Sequence, residues 1–134
     1  MVRIAVAGAA GRMGRSVIEA CQQAGNVRCS VALERPDSTW IGTDAGEVAN
    51  VGKLNVPVVA DLTQVVNEFD VLVDFTRPDA TLAHLELCRV AGKRIVIGTT
   101  GLTPVQKAEI SKALKAGKQI PGAHLEQSTR LVIA

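Results

Sequence analysis

Residues 2–14 of the chain read Val2-Arg3-Ile4-Ala5-Val6-Ala7-Gly8-Ala9-Ala10-Gly11-Arg12-Met13-Gly14. A short apolar run stops at Gly8, and residues suited to a helix follow. The glycines give the spacing G-x-x-G-x-x-G, a variant of the dinucleotide-binding fingerprint. In that pattern Gly8 permits the tight turn, Gly11 lets the backbone approach a pyrophosphate, and Gly14 lets the helix pack close to the sheet. The first helical amides and the helix dipole then face the phosphates.

A glycine triplet alone is often only a strand-to-helix turn without a ligand, so its context decides. The fingerprint needs an acidic residue about 20 positions further on. Glu34 lies 20 residues after Gly14 and closes the next predicted strand, and Arg35 follows it. A carboxylate there accepts from the ribose hydroxyls of NADH, whereas an arginine pairs with the 2′-phosphate of NADPH. The pair predicts a site for both cofactors; the alternatives are a solvated loop charge at Glu34 and a solvent-facing Arg35.

Strand-like and helix-like segments alternate along the chain. The predicted strands are Val2–Ala7, Val27–Leu33, Val56–Ala60, Asp70–Phe75 and Arg94–Ile97. The predicted helices are Arg12–Ala24, Leu62–Glu68, Pro78–Ala91 and one from Pro104 to about Ala116, with Thr103 as N-cap. The apolar face of the first helix is expected at Met13, Val17, Ala20, Cys21 and Ala24. This alternation predicts a Rossmann-like, doubly wound parallel α/β sheet, with residues 35–55 as a long excursion.

Composition narrows the classes of function. With 134 residues, 47% of them hydrophobic, the chain fits one globular domain. Aromatic residues make up 2% and the net charge is +2, which disfavours a nucleic-acid partner. The apolar runs are too short to span a bilayer, so no membrane partner is expected.

The number and spacing of the cysteines and histidines argue against a disulfide framework and a zinc site. Cys21, Cys29 and Cys88 are widely spaced, without a CxxC pair, which favours a reducing cytoplasm and a role as small core residues. With only His84 and His124 available, no zinc constellation can be written, and no metal site is predicted. Neither histidine is assigned a catalytic role, and no catalytic residue is predicted.

A second glycine-rich segment, Gly98-Thr99-Thr100-Gly101, follows the last predicted strand. It should therefore lie at the carboxyl edge of the sheet, where its hydroxyls and amides could hold a carboxamide or a carboxylate. The alternative is a plain turn before a helix. Arg77, at the end of the fourth predicted strand, either contacts a phosphate or structures its loop, and the sequence leaves both open.

Five segments together resemble one family. They are the stretches 6–15, Ala32-Leu33-Glu34-Arg35, Gly42-Thr43-Asp44-Ala45-Gly46-Glu47, Asp74-Phe75-Thr76-Arg77-Pro78 and Ile97-Gly98-Thr99-Thr100-Gly101. In this order they resemble the amino-terminal domain of bacterial dihydrodipicolinate (4-hydroxy-tetrahydrodipicolinate) reductase over roughly residues 1–116. G-R-M-G and I-G-T-T-G are the most specific pieces.

The resemblance implies a function and a set of contacts. It implies a cytoplasmic homotetramer that reduces a cyclic dicarboxylate with NADH or NADPH on the diaminopimelate route to lysine. The implied cofactor contacts are Gly8, Ala9, Ala10, Gly11, Arg12, Met13, Glu34, Arg35, Gly98, Thr99 and Thr100. Thr100 is also the implied contact to a substrate carboxylate.

The carboxy-terminal residues depart from the family pattern. Residues 1–117 are expected to form the dinucleotide-binding domain, and residues 118–134 a tail that does not follow the family. The stretch Ala123-His124-Leu125-Glu126 lacks the family's Asn and aromatic residue, and the family's substrate domain, with its His-His pair and lysine, is not found. The chain is therefore expected to be a cofactor-binding half, by fragmentation, frameshift or truncation, and inactive alone.

Two alternatives remain beside that function. The first is a free-standing NAD(H)-binding module without catalysis. The second is the amino-terminal half of an unrelated oxidoreductase, such as a homoserine or sugar dehydrogenase. The G-R-M-G and G-T-T-G segments argue against this second alternative.

Overall fold

The computed structural model describes residues 1–117. The predicted tail at 118–134, which includes His124, lies outside the described residues. The chain divides into two compact units, a first unit Met1–Asp70 and a second unit that begins at Val71.

The first unit is built around three parallel strands. Its elements are β1 (Val2–Ala7), α1 (Arg12–Ala24), β2 (Val27–Leu33), α2 (Ala45–Val48), β3 (Val58–Val59) and a 3-10 segment (Leu62–Glu68). β2 pairs in parallel with both β1 and β3. The β1–β2 register shifts between Ile4 and Ala5, where one residue of β2 is skipped. β1, α1 and β2 have the predicted bounds.

The buried face of α1 differs from the predicted one. Met13 is 49% exposed, and the buried residues of the helix are Gly14, Ile18 and Cys21. Their spacing of four and three residues is a helical face, turned by one position from the predicted face. The reason is Gly14, which lies against the backbone of the preceding turn, so the residue before it is directed outward.

Asp44 organises the excursion over residues 35–55. Its carboxylate accepts from the amides of Gly46 at 2.9 Å, Leu54 at 2.8 Å and Val56 at 2.8 Å. The first of these bonds caps α2, a short helix that the sequence did not predict. A side chain at Gly46 would overlap the carbonyl oxygen of Gly52. The resembling segment 42–47 therefore contains the cap and the first residues of α2.

The same carboxylate shortens β3. The predicted strand Val56–Ala60 was wrong in its bounds, because only Val58–Val59 pairs in the parallel ladder. The Val56 amide donates to Asp44 and is not available to the ladder, and Pro57 has no amide hydrogen to donate. The predicted helix Leu62–Glu68 is a 3-10 segment interrupted at Val65, whose φ of −119° is not helical.

The second unit repeats the strand–helix alternation. Its elements are β4 (Val71–Asp74), α3 (Pro78–Ala91), β5 (Arg94–Ile97) and α4 (Pro104–Gly117). β4 and β5 are parallel, with Val71 opposite Arg94. α3 begins on a proline and ends at Gly92, whose φ of 69° forms a left-handed C-cap.

The N-terminus of α4 has the predicted cap. The Thr103 hydroxyl accepts from the Gln106 amide at 3.1 Å, and the Gln106 side chain accepts from the Thr103 amide at 2.8 Å. This reciprocal pair is a capping box. With parallel strands and helices alternating in both units, the chain has the Rossmann-like α/β fold that its sequence predicts. No helix within residues 1–117 has the length and apolar character needed to cross a membrane.

Candidate functional site

The turn between β1 and α1 is built on glycine and tied to β2. Gly8 has a φ of 79°, a conformation that favours glycine. Its amide and that of Ala9 both donate to the Leu33 carbonyl, at 3.0 and 3.2 Å. The Gly11 amide donates back to the Gly8 carbonyl at 3.0 Å. The turn is therefore held at the carboxyl end of β2.

Gly14 and Gly11 differ in what surrounds them. A side chain at Gly14 would overlap the Gly8 carbonyl oxygen and lie 2.8 Å from the Ala9 Cα. Gly14 thus allows the close approach of helix and strand end that its position predicts. A Cβ at Gly11 would lie 3.3 Å from the Gly8 oxygen, and the residue is exposed. Gly11 is the N-cap of α1 and provides no capping side chain, so the first amides of this helix lack a side-chain acceptor there.

Glu34 lies directly beside this turn. It follows β2, is half-buried, and its own amide donates to the Val59 carbonyl at 2.9 Å. Its Oε2 atom accepts from the Ala10 amide at 2.9 Å. The structure thus joins the acidic residue to the glycine turn through a hydrogen bond between residues 24 positions apart.

Further side chains lie near these residues in sequence. Arg35 is largely exposed, and its guanidinium lies 3.7 Å from Asp37. Arg15 donates from Nε to the Ala10 carbonyl at 2.9 Å, and its guanidinium lies 5.2 Å from the centre of the Trp40 ring. Neither Arg15 nor Trp40 is among the predicted site residues. Arg12 and Met13 are both exposed at the start of α1.

In the second unit, a buried carboxylate follows the apolar part of β4. Asp74 is fully buried. Its Oδ1 accepts from the Thr76 amide at 3.0 Å and from the Thr76 hydroxyl at 2.6 Å, and its Oδ2 is hydrogen-bonded to His84 Nδ1 at 3.0 Å. His84 reaches it from α3, and its side chain is 16% exposed. Neither residue is predicted from the sequence as a site residue; the available signal was a lone Asp at the end of an apolar strand.

The segment after β5 is fastened to the segment after β4. The Gly98 amide donates to the Asp74 carbonyl at 2.8 Å, and a side chain at Gly98 would overlap the Phe75 ring. The buried Thr99 hydroxyl accepts from the Thr76 amide at 3.2 Å. Thr100, by contrast, is exposed. The structure therefore brings Gly98 and Thr99 together with residues 74–76 and leaves the Thr100 side chain accessible.

A cavity of about 440 Å³ lies elsewhere in the first unit. It is lined by Arg3, Gln22, Arg28, Cys29, Ser30, Leu54, Asn55, Val56 and Glu68. Several of these residues are at the amino ends of β1 and β2, whereas the glycine turn and Glu34 follow their carboxyl ends. Ligands of open parallel sheets bind outside the carboxyl ends of the strands, so we do not assign the cofactor to this cavity. Among residues 1–117, no three or more His, Cys, Asp or Glu side chains gather as a metal site would require.

A glycine turn at the carboxyl end of β1, close helix packing at Gly14 and an acidic residue bonded to that turn define a Rossmann-like nucleotide-binding domain. The family model described as the amino terminus of dihydrodipicolinate reductase matches residues 2–124. The chain therefore belongs to the dihydrodipicolinate reductase family, of the oxidoreductase kind, as the resemblance of its segments predicted.

Solved structures agree with this assignment. A dipicolinate-bound dihydrodipicolinate reductase from Paenisporosarcina sp. TG-14 is 30% identical, with a TM-score of 0.68 over 88% of this chain and 44% of that chain. Two others share the fold alone. An amine dehydrogenase from Mycobacterium smegmatis is 20% identical, with a TM-score of 0.65 over 87% of this chain and 37% of that one. The WlbA dehydrogenase from Bordetella pertussis, in complex with NADH and UDP-GlcNAcA, is 16% identical, with a TM-score of 0.66 over 99% of this chain and 34% of that one. The chain spans less than half the length of each.

Proposed function

We propose that this chain binds NADH and NADPH and forms the cofactor-binding half of a cytoplasmic reductase of 4-hydroxy-tetrahydrodipicolinate, on the diaminopimelate route to lysine. The observation that carries the proposal is the hydrogen bond from the Ala10 amide to Glu34, which sets a carboxylate beside a glycine turn. The dipicolinate bound by the Paenisporosarcina reductase supports a cyclic dicarboxylate as the substrate class. By resemblance, the working assembly is a homotetramer.

The first unit is proposed to hold the adenosine and pyrophosphate part of the cofactor. The backbone from Gly8 to Met13, through Ala9, Ala10, Gly11 and Arg12, provides amides for the pyrophosphate. Glu34 accepts from the ribose hydroxyls with the oxygen that Ala10 does not occupy. The exposed Arg35 side chain is available to a 2′-phosphate, because its distance to Asp37 is that of a loose ion pair.

By resemblance, Gly98, Thr99 and Thr100 are proposed as the contacts to the nicotinamide part. The Thr99 hydroxyl already bonds inside the unit, so the contribution expected of this residue is its backbone. The exposed Thr100 hydroxyl is the group proposed for a substrate carboxylate. Reduced nicotinamide supplies the hydride when it is bound. The proposed role of the residues named here is to bind the cofactor and the substrate and to orient them.

A proton donor is the other requirement of such a reduction, and it contributes on the order of 10²–10⁴-fold. His84 is the one histidine within residues 1–117, and its Nδ1 atom is hydrogen-bonded to the buried Asp74. We therefore assign no catalytic residue among residues 1–117. The 134-residue chain is expected to bind cofactor without turnover comparable to a complete reductase. A coupled assay with freshly made substrate, following NADH absorbance, measures this.

Calorimetric titration of the chain with NADH, NADPH and ADP-ribose tests the cofactor proposal. All three ligands are expected to bind at one site per chain, because all contain the part assigned to the first unit. The control is Gly11→Val, which places a branched side chain where the backbone approaches the pyrophosphate and is expected to remove binding of all three. Absence of binding to the wild-type chain, or unchanged affinities in a folded Gly11→Val chain, contradicts the proposal.

A further inference from the structure

We propose that Asp74 and His84 are positioning residues. Through a network of hydrogen bonds they hold the segment Gly98–Thr100 in the conformation that binds the nicotinamide half of the cofactor. This inference rests on the proposed function, since it takes that segment as a cofactor contact. The inference goes beyond the proposed function because it assigns a role to two residues that are not proposed to contact cofactor or substrate.

The first step is the arrangement of hydrogens between Asp74 and His84. Asp74 Oδ1 accepts from the Thr76 amide and hydroxyl, and its Oδ2 lies 3.0 Å from His84 Nδ1. A buried carboxylate is costly unless donors surround it, so an ionised Asp74 needs His84 to donate from Nδ1. A protonated Oδ2 would instead donate to Nδ1 and leave the ring hydrogen on Nε2. The arrangement that we propose is the first, with the hydrogen on Nδ1.

The second step is a chain of hydroxyl groups that ends on this carboxylate. The Thr76 hydroxyl donates to Asp74, so its oxygen accepts from the Thr81 hydroxyl, 3.4 Å away. Thr81 in turn accepts from the Thr99 hydroxyl at 2.6 Å. This direction satisfies all the hydroxyl–hydroxyl contacts at once. Thr81 and Thr99 are both buried, so the chain is shielded from water.

The third step is what this network does to the segment after β5. The Thr99 hydroxyl is held inward, and the Phe75 ring fills the space beside Gly98. The exposed Thr100 and the neighbouring backbone are then presented in one arrangement. A segment ordered before binding avoids the entropic cost of being ordered by the ligand. Loosening it should therefore weaken binding of the nicotinamide half only.

The first test compares NADH with ADP-ribose, which lacks the nicotinamide, by calorimetry. His84→Phe keeps a ring but removes the donor, whereas His84→Asn keeps a nitrogen donor near the position of Nδ1. We expect His84→Phe to weaken NADH by about 3- to 10-fold and to leave ADP-ribose unchanged, with His84→Asn close to wild type. Thr81→Val and its control Thr81→Ser, inside α3, should show the same contrast.

The outcomes separate the two proposals. If the wild-type chain binds neither ligand, the proposed cofactor function fails and this inference fails with it. If the wild-type chain binds both ligands but His84→Phe and Thr81→Val weaken both equally or neither, the cofactor function stands and the positioning role is wrong. Equal affinity of the wild-type chain for NADH and ADP-ribose also overturns the positioning role.

A second measurement does not depend on cofactor binding. ¹⁵N spectra of the histidine rings at alkaline pH report which nitrogen carries the hydrogen, and His84→Asn identifies the signal of His84. We expect the Nδ1–H form in the wild-type chain. In Asp74→Asn the amide oxygen is needed by the Thr76 amide, so its NH₂ group faces the ring and His84 should change to the Nε2–H form. The Nε2–H form in the wild-type chain overturns the proposal.

Discussion

The Ala10 amide and the Glu34 carboxylate are joined by a hydrogen bond of 2.9 Å, so the glycine turn and the end of β2 are connected by a side chain as well as by backbone bonds. One carboxylate oxygen is occupied in this way and the other is left for a ligand. The same bond fixes a negative charge near the place proposed for the adenosine ribose. The choice between NADH and NADPH should therefore depend on Glu34 as well as on Arg35.

The first prediction concerns that choice. Glu34→Ala is expected to weaken NADH more than NADPH, because NADH loses ribose hydrogen bonds worth roughly 1.5–3 kcal/mol to a charged acceptor. NADPH loses less, because repulsion between its 2′-phosphate and the carboxylate disappears too. Glu34→Gln is the matched control, since its oxygen still accepts from Ala10. Titrations with both cofactors measure the effect, and equal weakening would place Glu34 away from the ribose.

The second prediction separates the roles of two glycines. Gly14→Ala places a methyl group against the backbone of Gly8 and Ala9, which cannot move aside, and is expected to destabilise the fold by about 1–3 kcal/mol or more. Gly11→Ala meets one oxygen at 3.3 Å and should leave the Tm nearly unchanged while it weakens NADH. Thermal unfolding and titration of the two variants measure this. A stable Gly14→Ala chain would contradict the close packing of α1.

The third prediction is a pH dependence at Asp44. Burial raises the pKa of this carboxyl, but hydrogen bonds from backbone amides outweigh it and lower the pKa below its ordinary value. The donors are the amides of Leu54, Val56, Gly46 and Asn55. Because the pKa is lower in the folded chain, the stabilisation is fully present above the unfolded pKa of about 4 and is lost as the pH falls through the folded value.

Asp44→Asn should accordingly cost about 1–3 kcal/mol of unfolding free energy at neutral pH, since an amide oxygen cannot replace the carboxylate for all of these donors. The difference from wild type should shrink as the pH falls below about 4. Urea unfolding at several pH values measures it. A difference that stays constant down to about pH 2 would show that the charge of Asp44 does not hold the loop.

The fourth prediction concerns thiol reactivity. Burial raises the pKa of the Cys29 and Cys88 thiols to about 12, and burial also raises the pKa of Cys21. At pH 8 only about one in 10⁴ of the Cys29 and Cys88 thiols is then ionised, and the thiolate is the reactive form. Mass spectrometry after brief iodoacetamide treatment should find these two residues unlabelled in the folded chain and labelled in urea. Rapid labelling of the folded chain contradicts their burial.

The sequence by itself determined the elements whose signals are local. The predicted bounds are those of β1, α1, β2, α3 and β5, because β-branched runs, helical spacing and C-caps such as Gly25 and Gly92 act over a few neighbouring residues. The role of Gly8 in the tight turn could also be predicted from the sequence, because a positive φ is a local property of one residue. The fold class followed from the alternation of these elements.

Tertiary structure alone decided the contacts between residues distant in sequence. Gly14 against the Gly8 backbone turned the buried face of α1, and the bond from Val56 to Asp44, 12 positions apart, shortened β3. The network that joins Thr99 to Asp74 spans three elements. Its members are polar residues that look like turn or surface residues in the sequence. A hydroxyl or a carboxylate has many partners available, and only the packed chain selects one, because burial makes an unpaired polar group costly.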